Sequence, residues 1–253
     1  MYLSEEMQKI SIITINRNNA VGLRNTMDSV YAQRYSTDCG ALEYIVVDGA
    51  SSDDSVSVVR AFEMQHSGVL LKWISEPDTS IYNAMNKGLR LANGEYCLFL
   101  NSGDRLSDNE VIERIMKEPM TADVCYCDAV FVGEGKRYER AYPDKLNLEF
   151  FYNDSLCHQA IFYKRALLLE QGGYDEQYCL IADWVMNVQL YRKGYRFAHY
   201  PLITTLYDTD GLTGTEIGIK KCQRERDKYY RSTGLWYIHP YMWLKQKLHR
   251  LWH

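Results

Sequence analysis

The sequence has no long apolar run. Residues 1–9 are polar overall, and the apolar run that follows ends at Asn16. This run is too short for the core of a signal peptide, which needs about 7–15 residues, or for a membrane span of about 20. Repeats, low-complexity stretches and, before residue 211, Pro- or Gly-rich linkers are also absent. We therefore expect a cytoplasmic protein with one large domain, or one domain and an appendage.

The seven cysteines include no C-x-x-C pair. Cys125 and Cys127 lie two apart on a predicted strand, but no second pair of Cys or His ligands follows at zinc-site spacing. Several of the other cysteines lie inside apolar runs, which favours reduced, buried thiols of a cytosolic protein. The pattern therefore argues against structural zinc.

Positive charge is scarce in the first 216 residues, which carry 20 basic and 31 acidic side chains. Residues 217–253 reverse this balance, with 9 basic and 2 acidic side chains. The net charge of −4 therefore conceals a basic C-terminal segment. Because the larger part is acidic, we do not expect nucleic-acid binding.

The first half of the chain alternates strand-like and helix-like segments, and 46% hydrophobic residues suffice for a core. The predicted strands are 10–15, 43–47, 70–74 and 96–100, and the predicted helices are 21–33, 53–65 and 80–92. Such alternation predicts an α/β fold in which a mostly parallel, Rossmann-like sheet is flanked by helices. The loops at the carboxyl ends of the strands should form one ligand crevice.

The second half is less regular. Its predicted strands are 123–132, 137–141, 157–163 and 195–199, with a turn at Gly133-Glu134-Gly135 between the first two. An amphipathic helix is predicted over 182–192, and Gly194 stops it.

The most informative segment is the apolar run 96–100, which stops at Asn101-Ser102-Gly103-Asp104. A buried strand that ends in a Gly-Asp loop holds a carboxylate at the mouth of a sheet. Before it stand Ser75-Glu76-Pro77-Asp78, the helical stretch 81–88 and Asn93-Gly94-Glu95. Together these segments resemble the donor-binding half of a family 2 glycosyltransferase. The resemblance implies a GT-A fold and inverting transfer from a nucleotide diphosphate sugar.

The resemblance also implies the contacts of the donor. An Asp at the position of Asp48 accepts a hydrogen bond from the nucleotide base in this family, usually uracil. Thr14-Ile15-Asn16 resembles the opening T-x-N motif, which makes Thr14 and Asn16 donor contacts, although the family often has an aromatic residue where Ile15 stands. An Asx turn with helix capping is the alternative for Asp48.

Three further residues complete the predicted nucleotide-sugar site. They are Asp78 in the loop after the third strand, Lys87 on the following helix, and Ser102. Lys87 would lie near phosphate, and the alternative is an exposed helical lysine without a role in binding.

Asp104 matches the last carboxylate of the D-x-D type metal motif of the family. A divalent cation, Mn²⁺ or Mg²⁺, held by a carboxylate and phosphate oxygens would neutralise the leaving diphosphate. Asn101 and Gly103 stand where the family often has further acids. A turn or helix-cap role is the alternative for Asp104.

On the acceptor side, Ala182-Asp183 resembles the E-D segment of the family, in which the Asp is the general base. Inverting transfer needs one carboxylate within reach of the acceptor hydroxyl. His158-Gln159 resembles a segment found in a subset of these transferases, which suggests acceptor contacts, with a structural role as the alternative for His158. The loop 208–214 is predicted to close over the donor.

After Gly234 the sequence interleaves aromatic and basic residues up to residue 253. This pattern suits a helix in a membrane interface, and equally an amphipathic helix packed on the catalytic domain or on a second subunit of a homodimer.

We therefore predict a GT-A domain over 1–212, with a donor half at about 9–118 and an acceptor half at about 119–212, and a helical tail over 213–253. The predicted function is metal-dependent transfer, at the inner face of the membrane, from a nucleotide diphosphate sugar to a hydroxyl of a glycan or lipid-linked acceptor. A non-catalytic nucleotide-sugar-binding or scaffold subunit is one alternative. The other is a sugar-nucleotide nucleotidylyltransferase, for which residues 14–19 lack the glycines of a triphosphate loop.

Overall fold

The computed structural model describes residues 9–34, 42–65, 70–117, 120–133, 135–209, 215–235 and 241. The strands are β1 (Ile10–Asn16), β2 (Leu42–Asp48), β3 (Leu70–Ser75), β4 (Tyr96–Phe99), β5 (Arg105–Leu106), β6 (Val124–Gly133), β7 (Lys136–Arg140), β8 (Ile161–Lys164) and β9 (Phe197–Asp208). The helices are α1 (Ala20–Tyr31), α2 (Ser55–Gln65), α3 (Ile81–Leu91), α4 (Val111–Met116), α5 (Leu148–Asn153), α6 (Arg165–Glu170), α7 (Ala182–Arg192) and α8 (Glu216–Ser232).

All the described strands join one sheet in the order β3-β2-β1-β4-β8-β6-β9-β5, and β7 pairs with β6. The strands β1 to β4 run parallel, whereas β8 is antiparallel to both β4 and β6. The predicted α/β fold is thus confirmed, with its parallel pairing concentrated in the first half. The chain builds β2 and β3 on one side of β1 and then places β4 on the other, so a crevice opens at the carboxyl ends of β1 and β4.

The core explains why the first strands read as continuous apolar runs. Both faces of β1, β2 and β4 are covered, and almost every residue of these strands is buried. Helix α3 begins at the cap Ser80, whose side chain accepts a hydrogen bond from the Asn83 amide. It then packs closely on β1 through Gly88, where a Cβ atom would lie 2.4 Å from Cγ2 of Ile13.

Two predicted elements differ in detail. The predicted strand 157–163 begins instead as a single 3₁₀ turn, His158–Ala160, because the Ala160 amide donates to the Cys157 carbonyl at 2.9 Å. The predicted late strand 195–199 continues as β9 to Asp208, alongside β6, with register shifts around Asp128. The longer β9 carries its last residues to the crevice.

Helix α8 forms part of the predicted tail and packs on the domain. Both oxygens of Glu225 accept backbone amides, from Cys179 and Leu180, each at 3.0 Å. Tyr229 and Tyr230 are buried against Trp184 of α7. The remaining tail, 236–240 and 242–253, lies outside the described residues, as do 210–214 of the predicted closing loop. No helix in the described part of the chain is long and apolar enough to cross a membrane.

Candidate functional site

A large cleft, of about 1520 Å³, opens at the carboxyl ends of β1, β4, β6 and β9. It brings together seven of the ten predicted site residues: Asn16, Asp78, Ser102, Asp104, His158, Gln159 and Asp183. Residues from both halves of the chain therefore face one space, as the crevice prediction requires. Thr14, Asp48 and Lys87 do not line it.

Thr14 is fully buried beneath the cleft. Its hydroxyl donates to the Leu100 carbonyl at 2.7 Å and accepts a hydrogen bond from the Tyr44 hydroxyl at 3.0 Å. Both partners belong to the protein, so the Thr14 hydroxyl does not face the cleft in this structure, and a direct donor contact for Thr14 stays a prediction. The residue ties the end of β1 to the end of β4.

Asp48 lies at the end of β2, also beneath the cleft, and its carboxylate collects several donors. The backbone amide of Ser51 donates to it at 3.0 Å, and the side-chain amide of Asn16 donates at 2.9 Å. The hydroxyls of Ser51 and Ser75 donate at 2.5 and 2.7 Å. Burial would raise the pKa of Asp48, but these hydrogen bonds outweigh burial and lower it. The carboxylate therefore bonds the backbone of the loop after β2 at Ser51, three residues on, rather than forming an Asx turn.

Asn16 stands between Asp48 and the cleft. Its Nδ2 donates to Asp48, whereas its Oδ1 is buried and has no hydrogen-bond partner among the described residues. A buried acceptor without a partner is costly, so a ligand N–H that reaches it would be favoured. Asn16 thus offers the cleft the acceptor that the sequence had led us to expect from Asp48.

Lys87 holds the loop that follows β3. Its Nζ donates to the Pro77 carbonyl at 2.8 Å and contacts Asp78 at 2.7 Å and Glu76 at 2.9 Å. Burial acts to lower the pKa of Lys87, but the contacts with Asp78 and Glu76 outweigh it and raise the pKa. The charge of Lys87 is therefore used within the protein, and Asp78 is the member of this group that faces the cleft.

Asp104 is buried, and both of its carboxylate oxygens are bonded. Oδ1 accepts the Asp208 amide at 2.9 Å, and Oδ2 accepts Nε2 of Gln159 at 2.8 Å. Burial raises the pKa of Asp104 to about 6, although these two hydrogen bonds and the nearby His158 act to lower it. A Cβ atom at Gly103, whose φ is +107°, would lie 3.6 Å from Oδ2 of Asp208. Asp208, from β9, thus stands beside the position where an acid of the D-x-D motif is missing.

The oxygen atoms around Asp104 suit a metal ion that completes its coordination with oxygen atoms of the substrate. No group of three or more His, Cys, Asp or Glu side chains with metal-binding geometry occurs in the described residues. Mg²⁺ sites for phosphate substrates commonly use only one or two carboxylates, with phosphate oxygens and water. Asp104 and Asp208 supply such a pair, and Oδ1 of Asn101 is buried nearby without a hydrogen-bond partner in the described chain. These residues fit a divalent cation bound together with a diphosphate.

Asp183 occupies the first turn of α7, where the helix dipole favours negative charge. Its Oδ1 accepts the Tyr82 hydroxyl at 2.8 Å, and its Oδ2 lies 3.0 Å from Nδ1 of His158. Burial would raise the pKa of Asp183, but the hydrogen bonds with His158 and Tyr82 prevail and lower it. Each oxygen keeps a second lone pair, so the ionised carboxylate is prepared to accept a proton.

His158 and Gln159 connect the two carboxylates. His158 bonds to Asp183, and its Nε2 lies 3.1 Å from Nδ2 of Asn101, while Gln159 bonds to Asp104. Gln159 is buried, and its backbone carbonyl accepts a hydrogen bond from the Thr205 hydroxyl at 2.6 Å. The 3₁₀ turn therefore orients the two acids, and the amide of Gln159 that was predicted to contact acceptor is taken up by Asp104. Tyr82 and Asp208 were not predicted as site residues.

Two further groups of side chains line the cleft. One is a row of aromatic residues paired across three strands: Tyr138 on β7, Phe131 on β6 and Tyr207 on β9. The other consists of Ile219, Cys222 and Arg226 of α8, together with Cys179 from the loop before α7.

The sequence matches a known family. The model for Glycosyl transferase family 2 matches residues 11–175. A PGL/p-HBAD biosynthesis glycosyltransferase of Mycobacterium bovis is 30% identical over 211 residues, which cover 81% of this chain and 79% of that protein. A glycosyltransferase of Mycobacterium tuberculosis, described as uncharacterized, is 35% identical over 179 residues, covering 69% of this chain and 65% of that protein.

Solved structures resemble the fold. TarS 1-349 of S. aureus in complex with UDP aligns with a TM-score of 0.63 and 19% identity, over 79% of this chain and 60% of that one. The mannosyltransferase PcManGT of Pyrobaculum calidifontis, in complex with GDP-Man and Mn²⁺, aligns with a TM-score of 0.62 and 21% identity, over 79% of this chain and 56% of that one. The predicted GT-A fold is thus confirmed.

Proposed function

Since the chain belongs to Glycosyl transferase family 2 and is a glycosyltransferase, we propose that it moves a sugar, with inversion, from a nucleotide diphosphate donor to an acceptor hydroxyl. The observation that carries the proposal is that one cleft holds both carboxylates that the reaction needs. Both Asp104 and Asp183 line this cleft, and we assign Asp104 to the donor and Asp183 to the acceptor.

Asp183 serves as the general base. A positioned carboxylate that accepts the proton of the acceptor hydroxyl makes its oxygen a better nucleophile for the anomeric carbon. The hydrogen bonds from Tyr82 and His158 keep Asp183 ionised and fix its orientation. The diphosphate leaves from the opposite side of the anomeric carbon, so a single base suffices.

Asp104 and Asp208 hold the divalent cation, Mn²⁺ or Mg²⁺, whose chemistry when bound is to neutralise charge on the leaving diphosphate. Gln159 and the Asp208 amide fix the Asp104 carboxylate. Such supporting contacts commonly determine metal affinity. The structure of PcManGT in complex with GDP-Man and Mn²⁺ supports a divalent metal as cofactor.

Asn16 and Asp78 bind the nucleotide side of the donor. The free Oδ1 of Asn16 accepts an N–H of the base, and uracil has such a group, so a UDP-sugar is the donor we propose. Ser102, at the end of β4, lies beside this position and lines the same cleft. The complex of TarS with UDP supports the choice of nucleotide.

The acceptor is a hydroxyl of a glycan or lipid-linked molecule used in cell-surface polysaccharide assembly, approached from the inner face of the membrane. The basic and aromatic tail, 235–253, supports this placement because such segments bind anionic lipid surfaces. Deletion of 236–253 should release the protein from phosphatidylserine vesicles. Unchanged vesicle binding contradicts the tether, and a changed oligomeric mass would make the tail an assembly element.

Two variants test the proposed function because the carboxylates act at different stages. Asp104→Ala should weaken metal-dependent UDP binding and transfer together. Asp183→Asn should leave UDP binding intact while turnover falls by about 10²–10⁴-fold, the usual contribution of a positioned base. Calorimetry with UDP, with and without Mn²⁺, measures binding, and UDP release from a panel of UDP-sugars, with and without glycan acceptors, measures turnover.

Asp108→Asn is the matched control, since Asp108 forms a partly exposed ion pair with Arg114 and does not line the cleft. It should behave as wild type in both assays. Near-normal turnover of Asp183→Asn would move the base elsewhere. Unchanged Mn²⁺ dependence of UDP binding in Asp104→Ala would contradict the metal assignment.

A further inference from the structure

The lining of the cleft contains an arginine whose hydrogen bonds are incomplete. Arg226 of α8 lines the cleft, and its guanidinium carbon lies 4.8 Å from the centre of the Trp184 ring. Its Nε is buried and has no hydrogen-bond partner among the described residues. A buried N–H without an acceptor costs desolvation free energy, so a ligand that offers an acceptor to Arg226 would be favoured.

The packing of α8 holds Arg226 in this position. Glu225, the preceding residue, bonds two backbone amides just before α7, and Tyr229 and Tyr230, less than two turns later, are buried against Trp184. A guanidinium stacked on an indole ring is also held by a cation–π interaction. The arginine is therefore oriented before any ligand arrives, which reduces the entropy lost on binding.

Arg226 shares the cleft with the proposed base, Asp183. Trp184, over whose ring the guanidinium lies, directly follows Asp183 in the chain. Asp183 itself bonds Tyr82 and His158 and forms no ion pair with Arg226 in the described structure. The leaving diphosphate is assigned to Asp104, whose printed partners are Gln159 and Asp208.

We propose that Arg226 binds an oxyanion of the acceptor, a phosphate or a carboxylate, and so selects acceptors that carry such a group near the reacting hydroxyl. Planar guanidinium groups bind both oxyanions with paired, charge-assisted hydrogen bonds. Lys136, an exposed residue that lines the same cleft, adds positive charge to its lining. This inference rests on the proposed function, because it names the acceptor class of the same site.

The test keeps the donor site filled with UDP and Mg²⁺ and titrates the full-length protein with methyl phosphate or with acetate, at constant ionic strength. Calorimetry should show saturable binding of one or both anions to wild type, and their relative affinities distinguish phosphate from carboxylate. Arg226→Gln should lower that affinity at least tenfold, and Arg226→Lys should lower it less. Arg224→Gln, an exposed position on the same helix, should bind as wild type.

Two outcomes overturn the proposal. One is equal anion binding by Arg226→Gln and wild type, with circular dichroism showing that both are folded. The other is a UDP affinity of Arg226→Gln that falls as much as its anion affinity, which would place the arginine on the donor diphosphate. Failure of wild type to bind UDP would contradict the proposed function instead, so the two hypotheses fail in different measurements.

Discussion

At the scale of single residues, the pKa values of the two acids of the cleft are shifted in opposite directions. The buried carboxylate of Asp104 accepts hydrogen bonds from Gln159 and the Asp208 amide, but these do not offset burial, which raises its pKa to about 6. Asp183 is bonded by Tyr82 and His158, and its pKa is lowered in spite of burial. Pairs of carboxylates with opposite shifts are typical of sites in which each acid has its own task.

Tyr82→Phe should move the acidic limb of the turnover profile to higher pH. A carboxyl whose native pKa is lowered adds stability above its unfolded pKa of about 3.9, and that stability is lost as pH falls through the native pKa. Without the Tyr82 hydroxyl the pKa of Asp183 rises, and about 1.5–3 kcal/mol of unfolding free energy is lost at pH 7. The pH dependence of kcat and denaturant unfolding at pH 7 measure both effects.

Tyr195→Phe is the matched control, because it removes a hydroxyl that bonds the exposed carboxylate of Glu170, away from the cleft. Its acidic limb should coincide with that of wild type. An unshifted limb in Tyr82→Phe would mean that Tyr82 does not control the ionisation of Asp183.

Gln159→Leu should weaken metal-dependent UDP binding by about 10-fold or more, as is usual when a partner that orients a metal ligand is lost. Leucine leaves Oδ2 of Asp104 without the donor that now lies 2.8 Å away. UDP affinity as a function of Mn²⁺ concentration is the measurement, with Gln177→Leu, in an exposed turn, as the control. Equal Mn²⁺ dependence in wild type and Gln159→Leu would contradict this role.

The sequence led to Asp104 and Asp183 because each stands at the end of a recognisable element, a strand and a helix. It could not lead to Tyr82 or Asp208, whose bonds with these acids join positions 101 and 104 residues apart. For the same reason the sequence did not indicate which of Asp48 and Asn16 would keep an acceptor atom without a partner. Only the packed structure shows that the donors around Asp48 leave the Asn16 oxygen without a partner.

At the scale of elements, the hydrophobic pattern located the strands of the first half, and the predicted bounds of α7 agree with the structure. The prediction that α7 is amphipathic was wrong, because most of its residues are buried on all sides. Helices α4, α5 and α6 were missed because six residues each give too little periodicity to detect. The 3₁₀ turn at His158–Ala160 was read as strand, since its apolar neighbours continue into β8. That turn is the element that joins the two acids.

Gly88→Ala should destabilise the protein, although alanine in place of glycine normally favours a helix by about 1 kcal/mol. The new methyl group would lie 2.4 Å from Cγ2 of Ile13, and overpacking of this kind costs about 1–3 kcal/mol. Denaturant unfolding measures the change, with Ser57→Ala on the exposed side of α2 as the control. The loss of unfolding free energy caused by Gly88→Ala should be smaller when Ile13 is also replaced by Ala. An equal loss with Ile13 and with Ala at position 13 would contradict the steric explanation.

At the scale of the whole molecule, the cleft exists only where the two halves of the chain meet. Helix α3 of the donor half supplies Tyr82, which reaches Asp183, and β9 supplies the Asp208 amide, which reaches Asp104. The resemblance to the family predicted a donor half followed by an acceptor half, and this division stays a prediction. It could not predict how closely α8 packs on the domain, since those contacts are made by tyrosines with no motif of their own.

UDP with Mn²⁺ at about 100 times its Kd should raise Tm by about 5–10 °C, since a ligand bound only to the native state adds about 2.7 kcal/mol at that ratio. UMP lacks the second phosphate, so Mn²⁺ should add little to the rise in Tm that UMP causes. Removal of the metal with EDTA should likewise reduce the rise in Tm that UDP causes. Differential scanning calorimetry measures the shifts, and equal shifts with and without Mn²⁺ would contradict metal binding between Asp104 and the diphosphate.

Helix α8 and the loop before α7 place two thiols in the lining of the cleft, Cys222 and Cys179. Cys97, Cys125, Cys127 and Cys157 are buried, whereas Cys179 is exposed and Cys222 is half-buried. Burial also raises the pKa of Cys222, so the thiolate forms less readily there. A maleimide should therefore alkylate Cys179 ahead of the other described cysteines. The rate of that labelling gives an optical or mass-spectrometric measure of acceptor occupancy that needs no knowledge of the sugar transferred.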